Sequence, residues 1–157
     1  MTVEFNTENQ KKFEEVLTHY PTKQAAILPT LWLAQEQFGY LSMETLEMIA
    51  AKLDLAPVHV YSVASFYTMF NLKPVGKYHI QLCRTLSCAL LGSESLLDHV
   101  KKKLKIEEGE TTPDGKFSLC TVECLGSCGT GPAIMINEKY YESLNTEKVD
   151  KILMELK

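Results

Sequence analysis

Residues 78–88 read YHIQLCRTLSC, and residues 117–128 read FSLCTVECLGSC. Each begins with an alternating apolar and polar run, which is typical of a half-buried strand, and each then reaches a pair of cysteines. Cys83 and Cys88 are spaced CxxxxC, whereas Cys124 and Cys128 are spaced CxxxC. We expect each pair to lie in a loop that leaves its strand, so that two loops at one sheet edge can face each other.

The segments around these strands predict a small α/β sandwich. Residues 93–105 and 148–156 have helical periodicity, residues 133–136 form a short apolar run, and residues 137–139 indicate a turn. The resulting order is strand, helix, strand, strand, strand, helix. This order predicts a thioredoxin-like sheet whose first crossover is right-handed and parallel.

The first seventy residues show helical patterns throughout. Thr7 begins a predicted capping box, Ser42 can cap a later helix, and Pro57 can open another. Another helix is predicted over residues 23–38, where Pro29 should either kink the helix or mark its true start. A linker with proline and glycine follows, so the fold class is predicted to be α+β: a small helical bundle over residues 1–72, then a thioredoxin-like domain over residues 73–157.

Composition and charge exclude several classes of function. With a net charge of −4 and 23% charged residues, the chain has the composition of a globular protein of one ordinary or two small domains. Residues 1–76 contain five lysines, eight acidic residues and no arginine, which argues against a nucleic-acid reader. No apolar run is long enough for a membrane span and no targeting segment is recognisable, so we expect a cytosolic chain without direct membrane insertion.

All five cysteines lie between residues 83 and 128, which favours a metal or redox site over a disulfide framework. Spacing alone leaves four interpretations open: a 2Fe-2S cluster, a zinc site, a dithiol redox site, or buried thiols. Gly126, Gly129 and Gly131 surround the second pair and could let backbone N–H groups approach sulfur. Cys120 is expected to pack in a strand as a small apolar residue, since LGSCGTGP, which follows it closely, is a poor helix.

Four segments resemble one known family: VASFYTMFNLKPVGKYHIQLC (residues 63–83), CALLGSESLL (88–97), ETTPDGKF (110–117) and VECLGSCGTGPAIMINEKYYE (122–142). They are similar to the small iron–sulfur subunit of the NADH-dehydrogenase module of respiratory complex I, the NuoE family. The resemblance covers nearly the whole chain. It implies one 2Fe-2S cluster in a thioredoxin-like domain, with Cys83, Cys88, Cys124 and Cys128 as its ligands and Cys120 outside the site.

The resemblance also implies a role and partners. The cluster would exchange single electrons with FMN on a larger, NuoF-like flavoprotein subunit, which also binds NADH, within the peripheral arm of complex I. That complex would hold the chain at the inner face of the bacterial cell membrane. The chain would then be a subunit of NADH:quinone oxidoreductase without a complete active site of its own, since it has neither a GxGxxG motif that opens a helix nor a P-loop.

Two alternatives stay open in the sequence. The first is the equivalent subunit of an NAD-linked hydrogenase or formate dehydrogenase, and the second is a zinc-stabilised interaction module without redox function.

Arg84, the chain's only arginine, is expected to raise the cluster's potential by favouring the extra electron. Phe66, Tyr67 and Phe70 could fill the helical core or form part of a docking face.

Overall fold

The computed structural model describes residues 3–156, and the chain divides into two compact units, one that ends at Pro74 and one that begins at Val75. Over its described residues the first unit is built from helices, whereas the second combines helices with a four-stranded sheet. The predicted α+β class is therefore confirmed. Within residues 3–156, no helix is long and apolar enough to cross a membrane.

Over residues 3–74 the first unit contains four α-helices: α1 Thr7–His19, α2 Ile27–Phe38, α3 Met43–Leu53 and α4 Pro57–Phe66. A short 3₁₀ turn, Gln24–Ala26, precedes α2. Pro29 consequently lies in the first turn of α2, where its missing N–H removes no bond within the helix. Pro29 thus marks the start of this helix, which was one of its two predicted roles.

Polar side chains and a proline define where the helices begin. Asn6, not Thr7, caps α1, because the Oδ1 atom of Asn6 accepts the N–H of Asn9 at 2.8 Å. The capping box predicted at Thr7 is wrong by one residue, and Asn is at least as strong a cap as Thr. Ser42 caps α3 through a backbone N–H at 3.2 Å, and Pro57 occupies the first position of α4, both as predicted.

Buried apolar side chains from all four helices form the core of the first unit. Its largest fully buried members are Leu31 of α2, Leu46, Ile49 and Leu53 of α3, Val60 of α4, and Leu41 from the turn before α3. Removing each of these side chains from water contributes about 1.5–3 kcal/mol before the entropy of ordering is subtracted. Phe70 is also buried, so this one of the three predicted aromatic positions belongs to the core.

Four strands form the sheet of the second unit: β1 Tyr78–Cys83, β2 Phe117–Val122, β3 Ile134–Ile136 and β4 Lys139–Tyr141. Their spatial order is β2-β1-β3-β4. β1 and β2 run parallel, and β3 is antiparallel to both of its neighbours. Order and directions are those of a thioredoxin-like sheet, as predicted, and β1 and β2 have the predicted bounds.

In the described part of this unit, up to residue 156, three α-helices accompany the sheet: α5 Leu86–Leu90, α6 Ser93–Leu104 and α7 Thr146–Glu155. Both α6 and α7 pack on one face, since their buried residues join the alternate strand residues Ile80, Leu82 and Leu119 in a single apolar cluster. The sequence predicted α6 and α7 with small differences at their ends but did not predict α5.

The register of the parallel pair positions the cysteine loops. Cys83, the last residue of β1, pairs with Val122, the last residue of β2. Because the two strands run parallel, the segments that follow them leave the sheet at the same edge. The loops that follow β1 and β2 therefore begin side by side.

Candidate metal centre

The first cysteine pair is buried. Cys83 ends β1 and is 1% exposed, and Cys88 lies in α5 and is 2% exposed. Both pack against Ala133, with the partly buried Leu125 beside them. The prediction that each pair lies inside a loop is wrong for the first pair, because Cys83 is the last residue of β1 and the short helix α5 carries Cys88.

The second pair is exposed to solvent. Cys124 and Cys128 lie in the loop after β2, with their Sγ atoms 3.4 Å apart. The backbone N–H of Gly126 donates to Sγ of Cys124 at 3.3 Å, which is the kind of N–H to sulfur contact that the sequence predicted around the glycines. Gly126 has a φ of +80°, a conformation that glycine adopts without strain.

In the buried pair, the two thiols differ in acidity. Burial acts to raise the pKa of Cys83, but hydrogen bonds from the Thr85 hydroxyl and from the N–H groups of Leu125 and Thr85 bring this pKa below its ordinary value. The Thr85 Oγ1 atom lies 3.1 Å from Sγ of Cys83. Burial raises the pKa of Cys88, and the adjacent Cys83 raises it further. One thiol of this pair thus ionises more readily than the other.

The exposed pair shows the same division, and the two pairs also act on each other. The Gly126 N–H lowers the pKa of Cys124, whereas the hydrogen bond and charge of Cys124 raise the pKa of Cys128. Negative charge on Cys83 acts to raise the pKa of both Cys124 and Cys128. Since such effects require proximity, the two pairs lie within electrostatic reach of each other.

Space beside the buried pair is tight at Gly131. A Cβ atom at this position would lie 3.3 Å from Sγ of Cys88 and 3.1 Å from Cδ1 of Leu91. At Gly129, by contrast, such a Cβ would meet no described atom within 4 Å apart from those of its own chain neighbours. Of these two glycines, only Gly131 is therefore kept small by a neighbouring thiol, a distinction that the sequence pattern did not make.

The donor set fits a cluster with two metal ions. Among residues 3–156, no three His, Cys, Asp or Glu side chains meet as ligands of a single ion. The four thiols form two pairs instead: Cys83 with Cys88, which pack together against Ala133, and Cys124 with Cys128, whose Sγ atoms are in contact. Each iron of a 2Fe-2S cluster requires two thiolates, so each pair can serve one iron.

Cys120 lies in β2, as predicted, on the sheet face that also carries His79. The His79 Nε2 atom is 3.0 Å from Sγ of Cys120. Burial raises the pKa of Cys120 to about 11. Sequence patterns gave His79 no partner, and this contact could have been found only by combining the register of β1 and β2 with their side-chain alternation.

Arg84 is exposed and forms an ion pair with Glu123, with Nη2 to Oε1 at 2.8 Å and Nε to Oε1 at 3.1 Å. Each of the two residues is a direct neighbour of a cysteine: Arg84 follows Cys83 at the end of β1, and Glu123 precedes Cys124. The sequence had indicated no partner for Arg84. Its positive charge is in fact largely balanced beside the site.

A thioredoxin-like sheet with two thiol pairs at one edge defines a class of protein, the thioredoxin-like iron–sulfur proteins. Comparison with known families agrees, since the family described as thioredoxin-like [2Fe-2S] ferredoxin matches residues 13–157. The E subunit of the NADH-quinone oxidoreductase of Rickettsia prowazekii (strain Madrid E) is 45% identical over 155 residues, which are 97% of this chain and 88% of that protein. The E-type subunit numbered 2 of the same oxidoreductase in Rhizobium meliloti (strain 1021) is 42% identical over 92% of this chain and 86% of its own length.

The chain belongs to the thioredoxin-like [2Fe-2S] ferredoxin family, and within it to the family of E subunits of the NADH-quinone oxidoreductases. The resemblance noted in the sequence is thereby confirmed, and the predicted cofactor is the one that gives the ferredoxin family its name. A solved NAD+-reducing [NiFe]-hydrogenase in the air-oxidized state is also similar, with a TM-score of 0.71 and 22% identity over 80% of this chain and 22% of that chain. At this identity the likeness concerns the fold.

Proposed function

We propose that this chain is an electron-transfer subunit that holds one 2Fe-2S cluster on Cys83, Cys88, Cys124 and Cys128. The observation that carries the proposal is the arrangement of the four thiols as two pairs at the edge where β1 and β2 end. When bound, such a cluster accepts and returns one electron at a time. The residues of this chain determine how the cluster is held and how readily it takes the electron.

The two pairs contribute differently to binding. Cys83 and Cys88 are buried and would hold their iron away from water, whereas Cys124 and Cys128 would hold theirs at the surface. The N–H of Gly126 and the Thr85 hydroxyl stabilise thiolate charge at Cys124 and Cys83. Hydrogen bonds to sulfur favour a more negative cluster, so these two donors would raise its potential.

The electron partner in this proposal is FMN on a larger, NuoF-like flavoprotein subunit that also binds NADH. The names of the relatives support the NADH part of this assignment, because they describe such chains as subunits of an NADH-quinone oxidoreductase, and the family resemblance supplies FMN and the NuoF-like subunit. The nicotinamide site would then lie on the partner, and the chain would work as one subunit of the peripheral arm of complex I. It would be held at the inner face of the bacterial cell membrane by the complex.

The equivalent subunit of an NAD-linked hydrogenase or formate dehydrogenase is the second candidate. The NAD+-reducing hydrogenase with the similar fold is compatible with this second candidate. The identities of 45% and 42% to E subunits of NADH-quinone oxidoreductases, over most of the chain, favour the first candidate. Affinity purification of the tagged chain from its own cells distinguishes the two. Co-purifying quinone-reductase subunits support the first candidate, and a co-purifying hydrogenase or formate dehydrogenase subunit would replace it with the second.

The ligand assignment is tested by metal analysis of protein purified without oxygen. We expect two irons and two acid-labile sulfides per chain, with loss of both in Cys124→Ala and retention in Cys120→Ala, a matched change of a thiol outside the proposed site. One zinc ion without sulfide would replace the electron-transfer proposal with a zinc-stabilised interaction module. Full retention of iron in Cys124→Ala would overturn the assignment of that ligand.

A further inference from the structure

The exposed cysteine pair is placed to form a disulfide. Cys124 and Cys128 are both open to solvent, and their Sγ atoms lie 3.4 Å apart. Because a disulfide bond is about 2.05 Å long, each sulfur would have to move by only about 0.7 Å from this separation. Gly126 and Gly129 are exposed in the same loop and let its backbone adjust. A reagent in solution can therefore reach both sulfurs, and the loop can bring them together.

The other three thiols are shielded from the same reaction. Cys83 and Cys88 are 1% and 2% exposed and pack against Ala133. Cys120 lies half-buried in β2, and burial raises its pKa to about 11, so its thiol stays protonated at neutral pH. Oxidants react with thiolates that they can reach. Among the five cysteines, oxidation should therefore select the exposed pair.

We infer that Cys124 and Cys128 form a reversible disulfide in a chain that has not yet received its cluster or has lost it, and that this disulfide prevents cluster loading. The oxidant is a hydroperoxide. Loading stops because the thiolate is the metal ligand and a disulfide offers none. The loading part of the inference rests on the proposed function, which makes these cysteines ligands, whereas the disulfide itself does not.

The oxidation proceeds in two steps. One thiolate of the pair attacks hydrogen peroxide, the O–O bond breaks, and the sulfur becomes a sulfenic acid as hydroxide leaves. The second sulfur then attacks the sulfenic sulfur, the S–S bond forms, and the hydroxyl leaves as water. In total the two thiols lose two electrons and two protons, and one peroxide becomes two water molecules.

The same geometry makes the modification reversible. The partner sulfur at 3.4 Å lets the sulfenic acid condense before further peroxide converts it to an irreversible sulfinic acid. Exposed disulfides are the ones that thiols reduce readily, since the attacking thiolate must reach a sulfur. A dithiol reductant would supply two electrons and return both thiols. The pair can thus pass repeatedly between a form that accepts the cluster and a form that does not.

The first test maps the disulfide in the full-length chain, purified without oxygen and treated with hydrogen peroxide until the absorbance of the cluster is lost. Free thiols are alkylated with one reagent, disulfides are reduced and alkylated with a second, and fragment-ion mass spectrometry assigns the label at each cysteine. We expect the second label at Cys124 and Cys128 alone. Cys120→Ala is the matched control and should form the same disulfide. In Cys128→Ser, dimedone should trap a sulfenic acid at Cys124, which has lost its partner.

The second test measures loading after the peroxide has been removed. A scaffold protein that carries a 2Fe-2S cluster is added without a dithiol reductant, and cluster uptake is followed by absorbance. The oxidised chain should take up at least about tenfold less cluster than the reduced chain, because even the loss of a hydrogen-bond partner of a ligand weakens metal binding about 10–100-fold. Treatment with dithiothreitol should restore the uptake.

The outcomes separate this inference from the proposed function. A second label at Cys83, Cys88 or Cys120, or at no cysteine, would overturn the inference. Equal cluster uptake by the oxidised and reduced chains would overturn it as well, while the proposed function would stand. If the reduced chain takes up no cluster, the proposed function fails and the loading role fails with it, whereas the label mapping still decides whether the exposed disulfide forms.

Discussion

The Nε2 atom of His79 lies 3.0 Å from the Sγ atom of Cys120, across the parallel strands β1 and β2. Burial lowers the pKa of His79 and raises the pKa of Cys120 to about 11. Both groups are therefore mainly neutral at neutral pH. Because a reactive cysteine needs a stabilised thiolate, this pair is a packing contact between strands.

This contact predicts how stability depends on pH. The folded-state pKa of Cys120 is raised above its ordinary value of 9.0 to about 11, so the folded protein favours the protonated thiol. The resulting stabilisation is present below pH 9 and is lost as the pH rises towards 11. Urea unfolding of the loaded protein is measured at about pH 7.5 and about pH 10.5, which lie on either side of the ordinary thiol pKa. Between these two pH values the free energy of unfolding should fall less for Cys120→Ala than for the wild type. Equal losses would show that Cys120 does not titrate in this way.

Replacing Gly131 with alanine should disturb the buried thiol pair. The added Cβ would lie 3.3 Å from Sγ of Cys88, and overpacking of this kind costs about 1–3 kcal/mol. Gly129→Ala is the control, because it adds the same atom to open space in the same loop. Urea unfolding together with iron content measures both effects. Gly131→Ala should lose stability and iron relative to Gly129→Ala, and equal behaviour of the two variants would contradict the steric argument.

Arg84 and Glu123 should change the midpoint potential in opposite directions. Loss of the Arg84 cation leaves the carboxylate unpaired near the reducible group, so Arg84→Ala should lower the potential, and Glu123→Gln should raise it. Both shifts should be small, because the two side chains are exposed and solvent screens their charges. Redox titration followed by EPR measures them. The midpoint potential of the double variant should return close to the wild-type value. If the two single variants shifted the potential in the same direction, this electrostatic account would be refuted.

Asn6→Ala should destabilise the helical unit by about 1 kcal/mol, because it removes the side-chain acceptor of the Asn9 N–H at the start of α1. Thr7→Ala tests the capping box predicted from the sequence, and it should change the free energy of unfolding by less than about 0.5 kcal/mol. Chemical denaturation followed by far-UV circular dichroism compares the two. A larger effect at Thr7 than at Asn6 would restore the sequence-based assignment.

Periodicity predicted the parts of the fold that depend on one segment at a time. The bounds of β1 and β2 follow from alternation, and the starts of α3 and α4 follow from Ser42 and Pro57. The thioredoxin-like order then follows from the sequence of elements and the handedness of the crossover. The two cysteine pairs were recognisable because each begins at or just after the end of a strand.

Features that depend on tertiary contacts were beyond these patterns. Helix α5 has five residues, too few for a helical period to show. The contact of His79 with Cys120 and the ion pair of Arg84 join residues about 40 positions apart. The burial of one thiol pair and the exposure of the other depend on how α5 and Ala133 pack, which local sequence does not encode.

The pairing of Cys83 with Val122 has a consequence for the order of folding. These partners are 39 residues apart in the chain, and the segment between them, α6 included, must be synthesised and closed into a loop before the strands align. A newly made chain would therefore acquire its cluster only after β1 and β2 have joined. A chain that holds the cofactor would then be one whose second unit has folded. Any assembly step that accepts only the loaded chain would therefore exclude misfolded copies.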